Sequence, residues 1–469
     1  MIAEQAIRQL YKDCFKEDIT AVEACSAHGS SRQYFRVKSI NHFCIATYND
    51  NRKENEAFIN YARQLASHNI RVPKIYAEDL DNSIYLQEDL GDVTLYSLLE
   101  NQTLSRDKQI SIYKSVISQL PKIQMVGKDF DYTFAYPRKA FDMQSIEWDL
   151  QYFKYYFLKM AHIAFNEEAL EKDFKTLANY LLSADSDYFL YRDFQSRNIM
   201  FVADEPYFID FQGGRQGALQ YDIASLLYDA KANLSPDIRE LLLNYYMEEL
   251  QKHISIDPTE FRKLFYAFVY VRIMQAMGSY GYRGYFERKN HFLLSIPYAV
   301  KNLKWLEENV VLPLDLAELH YVFKQIMASN TLTDIASATG KLTINIKSFS
   351  YRKGFPQDVS GNGGGYVFDC RALHNPGRYD HYKLLTGRDK EVIEFLESRE
   401  DVNQFYSHVI GLINQSCEVY LRRNFTSLSV YFGCTGGQHR SVYMAERLYK
   451  ELSQRSELHI VLQHVEQSK

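Results

Sequence analysis

Apolar and polar positions change period several times along the chain, and each change marks an element. Up to about Leu90 the order reads helix, strands, helix, strands. YFRVKS and HFCIATYN are β-rich runs separated by a turn at Ile40–Asn41. PKIYAED and SIYLQED are two more, split by the turn residues Asp81, Asn82 and Ser83. Between these pairs, residues 52–68 have a helical period, with Phe58, Ala62 and Leu65 on one face. From Leu95 to Ser183 the period is again helical. FLYRDFQSRNIMFVADEPYFIDFQ interrupts it with short strands around polar loops, and helices return from Tyr221 to Glu308. ASNTLTDIASATGK (328–341) is small, polar and weakly periodic, as a linker is. After it, TINIKSFSY, YVFDCR and SLSVYFGC read as strands, 389–422 as one long helical tract and SVYMAERLYKELS as a helix. The pattern predicts a mixed domain over 1–327, with a β-rich part to about 90 and a helical part from 91. A linker over 328–341 then leads to a separate small α/β domain over 342–469.

Bulk properties narrow the class. A chain of 469 residues exceeds one ordinary core. The net charge of -5 argues against a whole-molecule attraction to nucleic acid. The start, MIAEQAIRQLYKDCF, has no basic region followed by an apolar one, and no apolar run is long enough to cross a bilayer, so no membrane partner is expected. The six cysteines are scattered without a CxxC pair, which fits free thiols in a reducing, cytoplasmic setting.

The chemistry of the first domain concentrates in DFQSRN, from Asp193 to Asn198, and in FIDFQ around Asp210. Phosphoryl transfer needs a carboxylate beside the attacking hydroxyl and oxygen ligands for Mg²⁺ on a triphosphate. Asp193 is placed to accept the proton, and Asn198 and Asp210 to hold the metal. DxxxxN alone is common and usually marks a solvated loop; a second Asp closing an apolar strand soon after makes it specific.

YRDFQSRNIM and FIDFQGGRQGALQYDIASLLYD resemble the aminoglycoside phosphotransferase and choline kinase group, and within it the bacterial N-acetylmuramate and N-acetylglucosamine anomeric kinases. The resemblance runs over most of 1–310, including SSRQYFRV, RVPKIYAEDLDNSIYLQEDLG, QAMGSYGYR and FLLSIPYAVKNLKWL. It implies an α+β two-lobed kinase-like fold with a small β-rich N-lobe, a helical C-lobe and ATP between them. It implies Asp193 as base, Asn198 and Asp210 as Mg²⁺ ligands, Ser30 and Ser31 near the phosphates, and Glu88, Asp89 and Leu90 near the adenine. The substrate it implies is an amino sugar taken from cell-wall recycling. The family's scaffolding His two residues before the base is Tyr191 here, and HFCIATYN lacks the strand Lys of kinase folds. Arg36 and Lys38 are weak substitutes for that Lys. Trp148, Tyr152, Phe153, Tyr155, Tyr156 and Phe157 sit where the family builds its substrate side. Aromatic faces can stack on sugars, but such a row is read first as core.

In the second domain, SLSVYFGC leads through Thr435, Gly436, Gly437, Gln438 and His439 into a helix that starts at Arg440. Adjacent glycines, a helix N-terminus and an Arg fork make a phosphate-binding combination. It is not a Walker A loop, since no GK[ST] follows. Cys434-x5-Arg440 has the spacing of a cysteine phosphatase loop, but Cys434 is read as a buried strand end. VFDCRALHNPGRYDHYKLLTGRDKEV together with FGCTGGQHRSVYMAERL resembles the C-terminal domain of the RNase adaptor RapZ over about 342–464. The resemblance implies a pocket for a phosphorylated amino sugar lined by Asp369, Arg371, Asn375, Thr386, Thr435, Gly436, Gly437, His439 and Arg440. Lys383 and Gly377 stand where that family has Arg and His.

The leading expectation is an ATP-dependent kinase of a small-molecule sugar with a phosphosugar-sensing domain. One alternative is a kinase of another alcohol, an aminoglycoside or a choline-like compound, using Glu147 and Asp149 against a cation. The other is an RNA-binding adaptor using Lys341, Lys347, Arg352, Lys353, Arg422 and Arg423, a set that reads first as a solvated face.

Overall fold

The computed structural model describes residues 2–25, 32–100, 104–287, 289–329, 332, 342–356, 365–423, 425 and 427–467. The chain forms two compact units, Met1–Gly278 with Tyr298–Ala328, and Ser279–Pro297 with Ser329–Lys469. The second unit therefore takes in Ser279–Pro297, which the sequence reading leaves with the first domain. Most of the 328–341 linker lies outside the described residues.

The first unit opens on a five-stranded antiparallel sheet, ordered β1-β2-β3-β5-β4. Its strands are β1 (Ala21–Ala24), β2 (Gln33–Lys38), β3 (Phe43–Tyr48), β4 (Ile75–Asp79) and β5 (Ile84–Gln87). Alternation sorts the side chains. Val37, Cys44, Ala46, Ile84 and Leu86 bury one face against Ile7 and Tyr11 of helix Ile2–Phe15. On the other face Gln87 donates to Thr47 Oγ1 and Tyr85 stacks on Phe58 of helix Arg52–Ser67. Asn51 caps that helix by accepting the Glu54 amide at 3.3 Å. Phe58, Ala62 and Leu65 are buried, as their spacing requires.

The rest of this unit is mostly helical, broken by two small hairpins. β6 (Tyr188–Leu190) pairs with β9 (Arg215–Gly217), and β7 (Ile199–Val202) with β8 (Glu205–Phe208). Helix Pro258–Gly281 runs against helix Met143–Phe153 so closely that a Cβ at Gly278 would lie 2.9 Å from the Phe153 amide.

The second unit carries a four-stranded parallel sheet, ordered β11-β12-β10-β13, from β10 (Leu342–Ser350), β11 (Gly365–Asp369), β12 (Ser427–Cys434) and β13 (Leu458–His464). β12 is buried at every residue, as a central parallel strand is. Its register with β10 brings Cys434 opposite Ser350, so the carboxyl ends of β10, β11 and β12 share one edge. The helical tract expected over 389–422 is two helices, Lys390–Glu397 and Glu400–Arg422. The chain turns at Ser398–Arg399, where the Asn403 amide donates to the carbonyls of Glu397 and Arg399.

Candidate active site and phosphate-binding loop

The strand-to-loop turn before Asp193 is held from below. The wholly buried Asp222 accepts the amides of Tyr191 at 2.8 Å and Arg192 at 3.0 Å. Arg192 sits in left-handed backbone at φ 80°, a conformation a non-glycine residue keeps only when its surroundings enforce it. Burial raises the Asp222 carboxyl to about 7, against the lowering effect of those two amides. Tyr191, in the family's His position, is buried and donates its hydroxyl to the Ile209 carbonyl at 2.5 Å. It thereby joins the Asp193 loop to the segment that delivers Asp210. The Ser196 hydroxyl and amide both donate to Asp229.

This scaffold brings together the expected base, Asp193, and the two expected metal ligands, Asn198 and Asp210. Asn198 Nδ2 donates to the Asp193 carbonyl at 2.8 Å and to Asp210 Oδ2 at 3.3 Å. Its amide nitrogen is thus occupied, and Asn198 Oδ1 accepts no bond from a described residue. An amide oxygen beside a carboxylate suits a hard cation such as Mg²⁺. Asp210 also adopts positive φ, at 68°, and Gln212 donates to its Oδ1 at 2.7 Å. The following Phe211 stacks on Phe58 at 4.7 Å, and Tyr61 donates to the Gly214 carbonyl. A Cβ at Gly214 would lie 2.5 Å from the Phe189 ring, so the loop passes there only as glycine.

The sequence reading missed one cation. Arg32, buried at the entry to β2, pairs with Glu54 at 3.1 Å and with Asp210 at 3.5 Å. It links helix Arg52–Ser67 to the metal-ligand candidate, and its pair with a helix Glu is of the kind a strand Lys makes in kinase folds. The signal was there: a Lys-free β3 demands a cation from elsewhere, and Arg32 lies within SSRQYFRV. The weak substitutes are occupied otherwise. Arg36 grips Asp89 at 2.6 Å and Asp92 at 2.9 Å, and Lys38 faces Glu23 at 3.6 Å.

Glu88, Asp89 and Leu90 follow β5. The Glu88 amide donates to the Lys74 carbonyl, and Asp89 receives Arg36 and the Gly91 amide, so its carboxylate braces this segment rather than facing a base. Ser30 and Ser31 lie outside the described residues.

The aromatic row divides. Phe153 and Phe157 are core, while Trp148 and Tyr155 are each 47% exposed, which corrects the all-core reading. A π-helical turn at Lys154–Leu158 shifts the spacing, and Lys154 and Lys159 each lie 4.6 Å from the Tyr155 ring. Asp149 is not open to a cationic substrate: Arg192 grips it with two bonds of 2.7 and 2.6 Å. Glu147 is exposed.

In the second unit Ser350 donates to the Thr435 carbonyl at 2.8 Å, fastening the loop to the end of β10. Gly437 has φ 66°, and a Cβ there would meet the Ser350 amide at 3.0 Å; at Gly436 a Cβ would find open space. The amides of Thr435, Gly436, Gln438 and His439 donate to no described residue, which leaves them available to an anion. Cys434 is buried, receives the Gly437 amide at 3.2 Å and lies 3.1 Å from Ser441 Oγ.

The remaining predicted pocket residues surround this loop. A Cβ on Gly377 would lie 3.4 Å from both Asn375 Oδ1 and His439 Cε1. The Gly387 amide, next to Thr386, donates to the Gln438 carbonyl. Thr386 itself caps onto Asp389, and Arg371 is tied to Asp369 and lies 3.9 Å from the Tyr351 ring centre. Arg440 is buried, and its Nη1 donates at 2.9 Å to the carbonyls of Arg371 and Leu373, which fastens the exit of β11. Its Nε donates to no described residue. Of the residues in the RNA reading, Lys353 pairs with Glu466 and Lys347 lies 5.6 Å from the Tyr431 ring centre; Lys341 lies outside the described residues.

Residues 22–255 match the phosphotransferase enzyme family, and residues 342–468 match the RapZ C-terminal domain. Among curated relatives, a nucleotide-binding protein of Verminephrobacter eiseniae is 37% identical over 147 residues, covering 30% of this chain and 49% of that protein. One of Nitrosomonas europaea is 40% identical over 124 residues, covering 26% and 41%. The chain thus spans half or less of the length of these relatives. Among solved structures, a choline kinase of Cryptosporidium parvum aligns over 68% of this chain and 99% of its own, at 13% identity and a TM-score of 0.46. The ADP-bound aminoglycoside phosphotransferase APH(2'')-Ib aligns over 71% and 98%, at 14% and 0.43. Among the described residues no helix is long and apolar enough to cross a membrane.

Proposed function

We propose that this chain, in which a domain of the phosphotransferase enzyme family is joined to a RapZ C-terminal domain, is an ATP-dependent kinase of the anomeric hydroxyl of an N-acetylated amino sugar. N-acetylmuramate and N-acetylglucosamine from cell-wall recycling are its substrates in this reading. The observation that carries it is the Asn198 amide, which fixes the Asp193 loop against Asp210.

Asp193 takes the proton as the sugar oxygen bonds to the γ-phosphorus of ATP and the bond to the β,γ-bridging oxygen breaks, leaving ADP. Asn198 and Asp210 would hold Mg²⁺, which neutralises phosphate charge when bound. Arg32 keeps Asp210 and helix Arg52–Ser67 in register, and the backbone around Glu88 to Leu90 receives the adenine.

The cationic-substrate alternative loses support because Asp149 is neutralised by Arg192. In the C-terminal domain, the free amides of Thr435, Gly436, Gln438 and His439 support binding of a phosphorylated amino sugar. The RNA-adaptor reading has only dispersed basic residues behind it.

The test is ATP consumption with N-acetylmuramate, N-acetylglucosamine, kanamycin and choline, followed by ³¹P–¹H correlation to locate the new phosphate. Product at C6, or turnover only with choline or kanamycin, rejects the anomeric assignment.

A further inference from the structure

Around Asp193 the first unit gathers three guanidinium groups, Arg192, Arg272 and Arg215, among the carboxylates of Asp149, Asp193 and Asp222. Arg192 and Arg272 both donate to the Tyr221 hydroxyl, at 2.6 and 3.2 Å, and both guanidinium carbons stand 5.2 Å from its ring centre. Arg215, at the start of β9, completes the group. It is 6% exposed, and its Nε donates to the Gly213 carbonyl at 3.0 Å. Its two terminal nitrogens, four N–H groups in all, donate to no described residue.

The nearby carboxylates do not compensate it. Asp149 is held by Arg192 through two bonds. Asp222 faces the amides of Tyr191 and Arg192, and burial brings its carboxyl to about 7. Asp193 is the proton acceptor. Burial, and then repulsion by Arg192, pull Arg215 down to about 10. A largely buried guanidinium whose terminal nitrogens are left to solvent is stabilised by an anionic partner arriving from outside.

Arg32 pairs with Asp210, on the metal-ligand side, whereas Arg215 holds the Gly213 carbonyl beside Asp193. A Cβ on Gly213, whose carbonyl Arg215 holds, would lie 3.8 Å from Asp193 Oδ2.

We propose that Arg215, backed by Arg192 and Arg272, is an anion subsite beside Asp193 that takes a carboxylate carried by the acceptor sugar. This rests on the acceptor being a sugar, as argued above, and selects a carboxylate-bearing amino sugar over a neutral one. The planar guanidinium suits a carboxylate through two parallel bonds.

The experiment uses the full chain and three acceptors: N-acetylmuramate, its methyl ester and N-acetylglucosamine. Calorimetric binding and ATP turnover are both read, on the unaltered protein, Arg215→Gln and Arg215→Lys. The unaltered protein is expected to bind the free acid at least about tenfold more tightly than the ester, the scale of a lost charge-assisted pair. Arg215→Gln is expected to lower kcat/KM for the acid at least about tenfold more than for the ester, and Arg215→Lys to retain part of the preference. Equal binding of acid and ester, binding of neither, or an equal loss on both in Arg215→Gln overturns the subsite. Acid-selective binding without ATP turnover leaves the subsite standing and removes the kinase reading. Should Arg215→Gln fail to fold, the acid-to-ester ratio of the unaltered protein and of Arg215→Lys decides.

Discussion

Arg32 Nη1 stands 3.5 Å from the Asp210 carboxylate while Nη2 of the same side chain reaches Glu54, so one buried guanidinium spans a helix and the strand-end Asp. Arg32→Ala is expected to raise the KM for ATP and lower kcat, together costing roughly 10²-fold in kcat/KM. Arg32→Lys should recover only part of this, because an ammonium lacks the fork that reaches both acids. Steady-state kinetics with ATP as the varied substrate checks it; an effect confined to the sugar KM would show that Arg32 serves the acceptor instead.

Asp193→Asn is expected to lower kcat by roughly 10²-fold or more while nucleotide binding stays close to normal. Asp210→Asn is expected to weaken Mg²⁺-dependent nucleotide binding as well. Nucleotide titration with and without Mg²⁺ separates the two. Near-normal kcat in folded Asp193→Asn removes this residue from the base role.

The buried carboxyl of Asp222 gives a pH signature. Its folded value of about 7 lies above the ordinary 3.8, so the folded protein binds this proton more tightly than the unfolded chain. The resulting stabilisation is full below 3.8 and lost as pH rises through about 7. The melting temperature of the unaltered protein relative to Asp222→Asn is therefore expected to climb as pH is lowered from about 8 to about 5. Parallel melting curves across that range would sink the assignment.

Much of this was legible in the sequence where period and chemistry coincide. Phe58, Ala62 and Leu65 announce their helix, and DFQSRN with Asp210 announces the base and metal-ligand candidates that the fold brings together. β1 and β9 were not visible because AVEA and RQG lack the β-branched and aromatic runs of the other short strands, and β9 contains a glycine. β13 is an edge strand whose burial alternates weakly. The anchorage of Arg440 was not legible, because its Nη1 meets carbonyls at Arg371 and Leu373, far away in sequence. The pairing of Arg192 with Asp149 is likewise a product of tertiary packing, and it neutralises one of the two carboxylates, Glu147 and Asp149, that the sequence offered to a cation.

The two glycines of the second unit's loop are expected to behave differently. Gly437→Ala forces a side chain into positive φ against the Ser350 amide and should lower the melting temperature. Gly436→Ala finds open space and should leave stability nearly unchanged while weakening binding of glucosamine 6-phosphate. Thermal melting and calorimetry on the full chain test the pair; unchanged affinity in Gly436→Ala places the phosphate elsewhere.

Arg440→Ala should act mainly on folding. It strands two buried carbonyls that accept from its guanidinium, at a cost of about 1–3 kcal/mol. A full-strength melting transition would contradict the fastening role.

Among the described residues, the buried core cluster of the parallel sheet is drawn from Leu342 through Leu458, with Ile460 and Leu462 packed against it. Its principal apolar packing is completed by residues that follow one another in the gene. A segment of that kind can be copied behind an unrelated reading frame without its interior having to be redesigned. Recombination then needs to succeed only at the join, and selection can act afterwards on which catalyst the module accompanies.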